Sequence, residues 1–278
     1  MKVIKAQFAG ACYGVQRAIN LANKTVEAAS SVETLGPLIH NPQVVKELEG
    51  KGIGVASSLD ESDAETLIIR SHGVVPSVYE QAHDRGINLV DATCPHVVRA
   101  QKAAAMLARE NDVLIVLGEA GHPEVEGLKA FALRENPCVY VLTSPEELPS
   151  NLPEKVGIVV QTTQARKRLE ALVSALEKRG ITPSIKDTIC SATSKRQDAA
   201  AALADQVDAF VVIGGKNSSN TTRLYEICSS LCSFVVHVED VSELKQFDFS
   251  PYKAVGLTAG ASTPENQIEE VCAYLESL

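Results

Sequence analysis

Short apolar runs recur along the chain, among them Leu67-Ile68-Ile69, Val113 to Gly118, Gly157 to Val160, Ala209 to Gly215 and Phe234 to Val238. They are rich in β-branched residues and do not alternate with polar ones, the pattern of strands covered on both faces. Between them lie Ala- and Leu-rich segments with helical spacing; Val15, Ala18, Ile19, Ala22 and Val26, for example, make one apolar stripe. Strand runs alternating with helical segments predict an α/β protein with mostly parallel sheets. In such sheets, ligand chemistry gathers in the loops beyond the carboxyl ends of the strands.

The pattern repeats three times. Cys12, Cys94 and Cys190 each open a helical segment, and an Arg follows five, five and six residues later, at Arg17, Arg99 and Arg196. Twenty-eight residues past each Cys stand His40, His122 and Ser218, each after a strand-like or glycine-marked segment, Val32 to Ile39, Val113 to Gly118 and Ala209 to Gly215. Further strand segments follow in the same register: Ile53 to Ala56, Val139 to Leu142 and Phe234 to Val238, then Leu67 to His72, Gly157 to Thr162 and Ala254 to Thr258. We read three quasi-equivalent α/β modules of about four strands each, at 13–94, 95–189 and 190–278, with residues 1–12 completing the third. A pseudo-threefold trefoil of such modules would aim three cysteine loops at one point.

Composition narrows the class. With 278 residues, 45% hydrophobic, the chain is long enough for two or three small domains. A formal charge of −9 argues against nucleic acid or an anionic membrane as a partner. No apolar run reaches the roughly 18 residues of a membrane span, and no signal-peptide segment opens the sequence. The expected compartment is the cytoplasm, where seven cysteines stay reduced and metal binding or catalysis outranks disulfides.

Three cysteines at equivalent repeat positions, 82 and 96 residues apart with no Cys-x-x-Cys, do not have the paired spacing of a structural zinc site. Each lies where a strand turns into a helix, so the helix N-terminus favours the thiolate. Thiolates are the usual ligands of iron–sulfur clusters, and a cubane normally takes four. Three leave one iron open to act as a Lewis acid for an oxygen-bearing substrate. The bland alternative is three buried cysteines in helix-start loops. Cys138, Cys228, Cys232 and Cys272 are read as packing residues.

The strand-end loops carry the remaining chemistry. His40, His72 and His122 lie there, with Thr162, Ser218, Ser219, Asn220 and Ser262. Hydroxyls, an amide, imidazoles and helix N-terminal N–H groups suit a phosphate or diphosphate. Gly214-Gly215-Lys216 is not a Walker A loop, and no Gly-x-Gly-x-x-Gly follows a first strand. Glu124, two residues after His122, is a candidate proton donor to a leaving hydroxyl. Its bland role is helix capping, for which Glu126 is the better candidate.

With these residues in place, the sequence resembles the 4-hydroxy-3-methylbut-2-enyl diphosphate reductase (LytB) family. The match includes Gly10 to Ile19, Gly36 to Val45, Ile69 to Gly73, Asp91 to Pro95, Gly121 to Val125, Val160 to Thr163, Asp187 to Cys190, Lys216 to Asn220 and Thr258 to Ser262. The resemblance implies reductive removal of an allylic hydroxyl by two electrons and two protons, giving isopentenyl and dimethylallyl diphosphates, the last step of the non-mevalonate isoprenoid pathway. It implies one [4Fe-4S] cluster on Cys12, Cys94 and Cys190, and substrate binding by His40, His72, His122, Thr162, Ser218, Ser219, Asn220 and Ser262. It also implies proton donation by Glu124 and an external one-electron donor such as ferredoxin or flavodoxin. The chain departs from the family at Ala11, where Phe is frequent; the ligand set is intact but the apolar shell beside the first Cys differs.

Two other classes compete. A quinolinate synthase-like dehydratase also has three cysteines and pseudo-threefold modules, but its two small dicarboxylates suit the His and Ser/Asn loops less well than a diphosphate does. A non-enzymatic electron carrier or sensor normally saturates its cluster with protein ligands.

Overall fold

A computed structural model describes residues 1–278. The chain opens with β1 (Lys2–Lys5), α1 (Tyr13–Ala28), β2 (Val32–Leu35), α2 (Pro42–Gly50), β3 (Ile53–Ala56), β4 (Thr66–Ile69), α3 (Pro76–Asp84) and β5 (Asn88–Asp91). It continues through α4 (Pro95–Glu110), β6 (Val113–Leu117), α5 (Pro123–Leu133), β7 (Val139–Leu142), β8 (Val156–Val160), α6 (Arg166–Glu177) and β9 (Ser184–Lys186). Then come α7 (Ser191–Ala204), β10 (Ala209–Ile213), α8 (Ser219–Ser229), β11 (Val235–Val238), α9 (Val241–Leu244), β12 (Ala254–Ala259) and α10 (Glu265–Glu276).

The strands form three parallel four-stranded sheets, ordered β3-β2-β4-β5, β7-β6-β8-β9 and β11-β10-β12-β1. Read this way the three orders are equivalent, and the N-terminal strand β1 takes the place of a fourth strand beside β12, with Val3 opposite Val255. The α/β class and the parallel sheets are those the apolar runs predict.

Contacts divide the chain into two compact units. One comprises Met1–Gln16, Ile39–Lys46 and Ser191–Leu278 and holds the sheet containing β1; the other comprises Arg17–Leu38 and Glu47–Cys190 and holds the other two sheets.

Central strands are buried on both faces, which is why their sequences are continuously apolar. Along β10, Ala209, Val211 and Ile213 join the core packed by α10, while Phe210 and Val212 join the core packed by α7 and α8. Along β6, Val113, Ile115 and Leu117 face one core and Leu114 and Val116 the other. In α1 the deepest residues are Ala18 and Ala22; Val15, Ile19 and Val26 are half-buried.

Two features differ from the sequence expectation. The strand-like segment from Val32 to Ile39 is a strand only to Leu35. Gly36 turns the chain with φ +70, a left-handed conformation open to glycine, and Pro37 has no N–H to continue a ladder. Cys138, expected in the core, is exposed: it precedes the edge strand β7, in a turn where the Asn136 side chain accepts the Cys138 N–H at 2.8 Å. Cys228 and Cys232 are buried in the core beneath β10, and burial pushes the Cys228 thiol up to about 12, so it stays protonated and inert.

Gly256 on β12 lies opposite Phe210 on β10, and a Cβ there would stand 2.6 Å from the Phe210 ring. Gly256→Ala should therefore destabilise the chain by about 1–3 kcal/mol. Denaturant melts of Gly256→Ala, Phe210→Leu and the double variant test this. The double variant should be more stable than the sum of the single losses, because the smaller side chain relieves the overlap.

Candidate functional site

Parallel strands bring all their carboxyl ends to one edge of each sheet, and the candidate residues leave from those ends. They follow the two central strands and the edge strand β1, β5 or β9 of each sheet; none follows the opposite edge, β3, β7 or β11.

In the first unit, Cys12 directly precedes α1, and its N–H donates to Ala261 O at 3.1 Å. Ser262, the next residue, donates its hydroxyl to His40 O at 3.0 Å, tying the loop after β12 to the His40 loop. Gly215 completes this close approach: a Cβ there would lie 2.6 Å from His40 O. Ser218 caps α8, its Oγ accepting the Thr221 N–H at 3.4 Å, so Ser219 and Asn220 stand on the helix's first turn. Ser218, Ser219 and Asn220 are all buried. The Asn220 amide is only 3% exposed, yet neither its Oδ1 nor its Nδ2 has a partner within the chain. A buried amide unsatisfied at both ends is costly unless a ligand or water completes it. It stands beside the N–H groups at the start of α8, the kind of place where an anion is favoured.

The second unit holds Cys94, Cys190, His72, His122, Glu124 and Thr162. Cys94 is the residue before α4, with Pro95 at the first helical position, and its N–H donates to Ser71 O at 2.9 Å. Cys190 precedes α7 and donates its N–H to Thr162 O at 2.9 Å. The His72 and His122 rings meet edge to face, with centroids 5.6 Å apart. His122 also caps α5, its Nδ1 accepting the Glu124 N–H at 3.1 Å. That bond sets the neutral tautomer, with the proton on Nε2. Glu126 instead accepts the Gly121 N–H at 3.0 Å, in the turn before the helix, so the cap itself is His122 and not the Glu126 expected from the sequence.

Glu124 has a different task. Its carboxyl is 2% exposed and accepts both the Thr162 N–H (2.6 Å) and the Thr162 hydroxyl (2.8 Å). Burial pushes its pKa up to about 7, against the two Thr162 hydrogen bonds, which favour the ionised form. At neutral pH it is thus divided between acid and carboxylate, the condition for proton transfer. The same Thr162 that holds Glu124 holds Cys190.

Sequence reasoning noted the Arg after each Cys but gave it no role. Arg196 donates to Gly10 O at 2.8 Å, in the loop before Cys12. Arg17 donates to Thr93 O and Asp91 O at 3.2 and 3.4 Å, in the loop before Cys94. Arg99 is exposed. Asn41 was also missed: its Oδ1 accepts the Gln43 and Val44 N–H groups, and its Nδ2 donates to Gln267 at 3.1 Å. The available signal was Asn-Pro at a helix start, which fixes the residue following His40.

Parallel sheets that present thiols, imidazoles, a dry acid and a buried unsatisfied amide at their strand ends have the makings of an α/β enzyme for a small polar substrate. The chain belongs to the LytB protein family, whose family model matches residues 3–276. It is 45% identical over 278 residues to 4-hydroxy-3-methylbut-2-enyl diphosphate reductase of Geobacter sulfurreducens, covering 99% of this chain and 97% of the relative. The reductase of Trichlorobacter lovleyi is 42% identical, covering 100% and 99%. Among solved structures it is similar to (E)-4-hydroxy-3-methyl-but-2-enyl diphosphate reductase, the terminal enzyme of the non-mevalonate pathway, with TM-score 0.71, 38% identity and full coverage of both chains. The E-1-hydroxy-2-methyl-but-2-enyl-4-diphosphate reductase of Plasmodium falciparum gives TM-score 0.90 at 27% identity, covering 100% of this chain and 87% of that one.

Glu124 also links stability to pH. Its folded pKa of about 7 lies above the ordinary 4.5, so its contribution is fully present below pH 4.5 and is lost as pH rises to about 7. Ionising it in place costs up to about 3 kcal/mol. The stability of Glu124→Gln relative to the unsubstituted chain should therefore rise between pH 4.5 and 7 and level off above, as read by denaturant melts across that range. A difference flat with pH would mean that the carboxyl is already ionised at pH 5.

Proposed function

We propose that this chain catalyses the reductive dehydroxylation of 4-hydroxy-3-methylbut-2-enyl diphosphate to isopentenyl and dimethylallyl diphosphates. The observation that carries this is the buried Glu124 carboxyl, poised near pH 7 and joined through Thr162 to the Cys190 loop. Family membership and the relatives' activity support the same reading.

Cys12, Cys94 and Cys190 would hold one [4Fe-4S] cluster. The donor set fits: all three are unbridged thiols, half-exposed, and fixed through their backbone at helix starts, where a thiolate is favoured. When bound, the cluster supplies electrons and an open iron that draws density from the substrate's C–O bond. Modules at 13–94, 95–189 and 190–278, the last completed by residues 1–12, would each contribute one thiol to it in a trefoil arrangement.

The chain's own residues do the rest. The allylic C–O bond breaks and the hydroxyl leaves as water, taking one proton; a second proton ends on carbon, and two electrons enter one at a time from a carrier such as ferredoxin or flavodoxin. Glu124 gives the proton to the leaving oxygen, and the Thr162 hydroxyl, 2.8 Å from its carboxyl, links that acid to the substrate. His40, Ser218, Ser219, Asn220 and Ser262 hold the diphosphate, and His72 and His122 add hydrogen bonds. No helix is long and apolar enough to cross a membrane. The reading puts the enzyme in the cytoplasm, where its seven cysteines, none of them in a disulfide, stay reduced.

Anaerobic turnover of the hydroxylated diphosphate with a reduced one-electron donor tests the reading directly; a chain with a full cluster and no turnover would sink it. Cys→Ser at 12, 94 or 190 should deplete the brown cluster chromophore, and the same change at Cys138 or Cys272 should not. Glu124→Gln keeps the shape and should retain cluster and substrate binding while turnover falls at least about 100-fold. Ser218→Ala, Asn220→Ala and His40→Ala should each weaken substrate binding about 10- to 150-fold and leave the cluster spectrum unchanged, because each removes a hydrogen bond to a charged group.

A further inference from the structure

The second unit contains a cleft of about 250 Å³ that none of the assigned residues enters. Leu35, Leu59, Val74, Val75 and Val78 make its apolar wall. Arg70 is its cation. The guanidinium is half-buried and packs over Gly36, and its Nε is 3.5 Å from Gly73 O. No carboxylate lies within ion-pair distance of it. Two acids also face the cleft, and both are engaged elsewhere. Asp60 is paired with Arg85 at 2.6 Å, and Glu126 accepts the Gly121 N–H. Ser57 and Ser58 add hydroxyls, and the Ser58 side chain makes no cap bond to the short turn at Leu59–Glu61 that follows it.

A half-buried guanidinium without a counter-ion favours an anion that restores its lost solvation. The apolar wall favours a ligand with a hydrocarbon body, and the volume limits that body to a few carbons. We propose that the cleft is a second small-molecule site, for an anionic phosphate head on a short apolar body. The head pairs with Arg70 and the two serines; the body lies against Val74 and Val78. This inference goes beyond the reductase reading and stands without it. Arg70 lies two residues before His72, and Pro123, another wall residue, lies between His122 and Glu124. A ligand here therefore touches the two turns that carry His72 and Glu124, and its occupancy should change turnover.

The chain has no tryptophan, so Gln81→Trp at the exposed rim gives a single reporter in the holoenzyme. Titrating it with isopentenyl diphosphate should give a saturable fluorescence change. Inorganic diphosphate, which lacks the body, and 3-methylbutanoate, which has a smaller head, should each bind at least about 10-fold more weakly. Adding Arg70→Met should weaken isopentenyl diphosphate binding by about 10-fold or more. Adding Val78→Phe, which fills the cleft and leaves Arg70 in place, should abolish the signal while the cluster and basal turnover persist. No saturable signal, or a signal that survives Val78→Phe, overturns the proposal; if Arg70→Met does not fold, the Val78→Phe arm decides alone. Inorganic diphosphate binding as tightly as the isopentenyl compound overturns the apolar half of it. Absent turnover with the cleft signal intact would refute the reductase reading and leave this site standing.

Discussion

Each of the three cysteines is fixed by one backbone hydrogen bond of the same kind. The N–H of Cys12 donates to Ala261 O, that of Cys94 to Ser71 O and that of Cys190 to Thr162 O, all within about 0.2 Å of the usual 2.9–3.0 Å. In every case the acceptor lies just beyond the neighbouring strand of the same sheet: β12 beside β1, β4 beside β5, β8 beside β9. The acceptor, or the residue after it, is a candidate substrate residue: Ser262, His72 or Thr162. One bond therefore joins a metal-ligand candidate to a substrate-residue candidate. Each bond also satisfies a strand-end N–H that, left without a partner away from water, would cost about 1–3 kcal/mol.

The same economy explains the polar residues kept dry. Glu124 is buried with Thr162 supplying both of its hydrogen bonds, so the burial that raises its pKa is opposed but not cancelled. A carboxyl hydrogen-bonded more fully would be a plain anion and a poor acid. With no partner at all it would tend to stay neutral well above pH 7 and give its proton up reluctantly. Two bonds from one threonine hold it between these limits. The Asn220 amide shows the opposite case, with both ends unsatisfied inside the chain, which fits a group whose partner arrives with the substrate.

Much of this was legible because repetition amplifies weak local signals. One His at a strand end is uninformative, whereas His40, His122 and Ser218 at the same offset from three cysteines mark the corresponding strand end in each of the three sheets. The doubly buried central strands were legible for a simpler reason: their apolar runs have no polar interruption. What escaped is contact between residues distant in sequence. Asn41 with Gln267 and Arg196 with Gly10 leave no periodic trace, because a side chain can reach any backbone atom that folding brings near. The cap on α5 was missed because imidazole is not among the usual capping side chains. Cys138 was misplaced because a residue heading an apolar run reads as core, although the run is an edge strand and its first turn faces solvent.

The arginines show how a repeat decays while its geometry persists. The turn before Cys12 is held by Arg196, and the turn before Cys94 by Arg17, through guanidinium bonds to main-chain carbonyls. By the register, Arg99 would hold the turn before Cys190, yet it is exposed. That turn is built on Asp187, whose Oδ1 accepts the Ile189 N–H, as Asp91 Oδ1 accepts the Thr93 N–H before Cys94. Asp187 is itself paired at 2.6 Å with Arg166 at the start of α6. So the third turn also rests on an arginine, drawn from a different helix and acting through a carboxylate. What the three sheets share is an arginine behind each cysteine turn. Before Cys12 and Cys94 the guanidinium satisfies carbonyls that the turn leaves outside the strand ladder; before Cys190 it neutralises the carboxylate on which the turn is built. Support of this kind comes from more than one position in the sequence, whereas the cysteine stands after the edge strand β1, β5 or β9 in all three sheets.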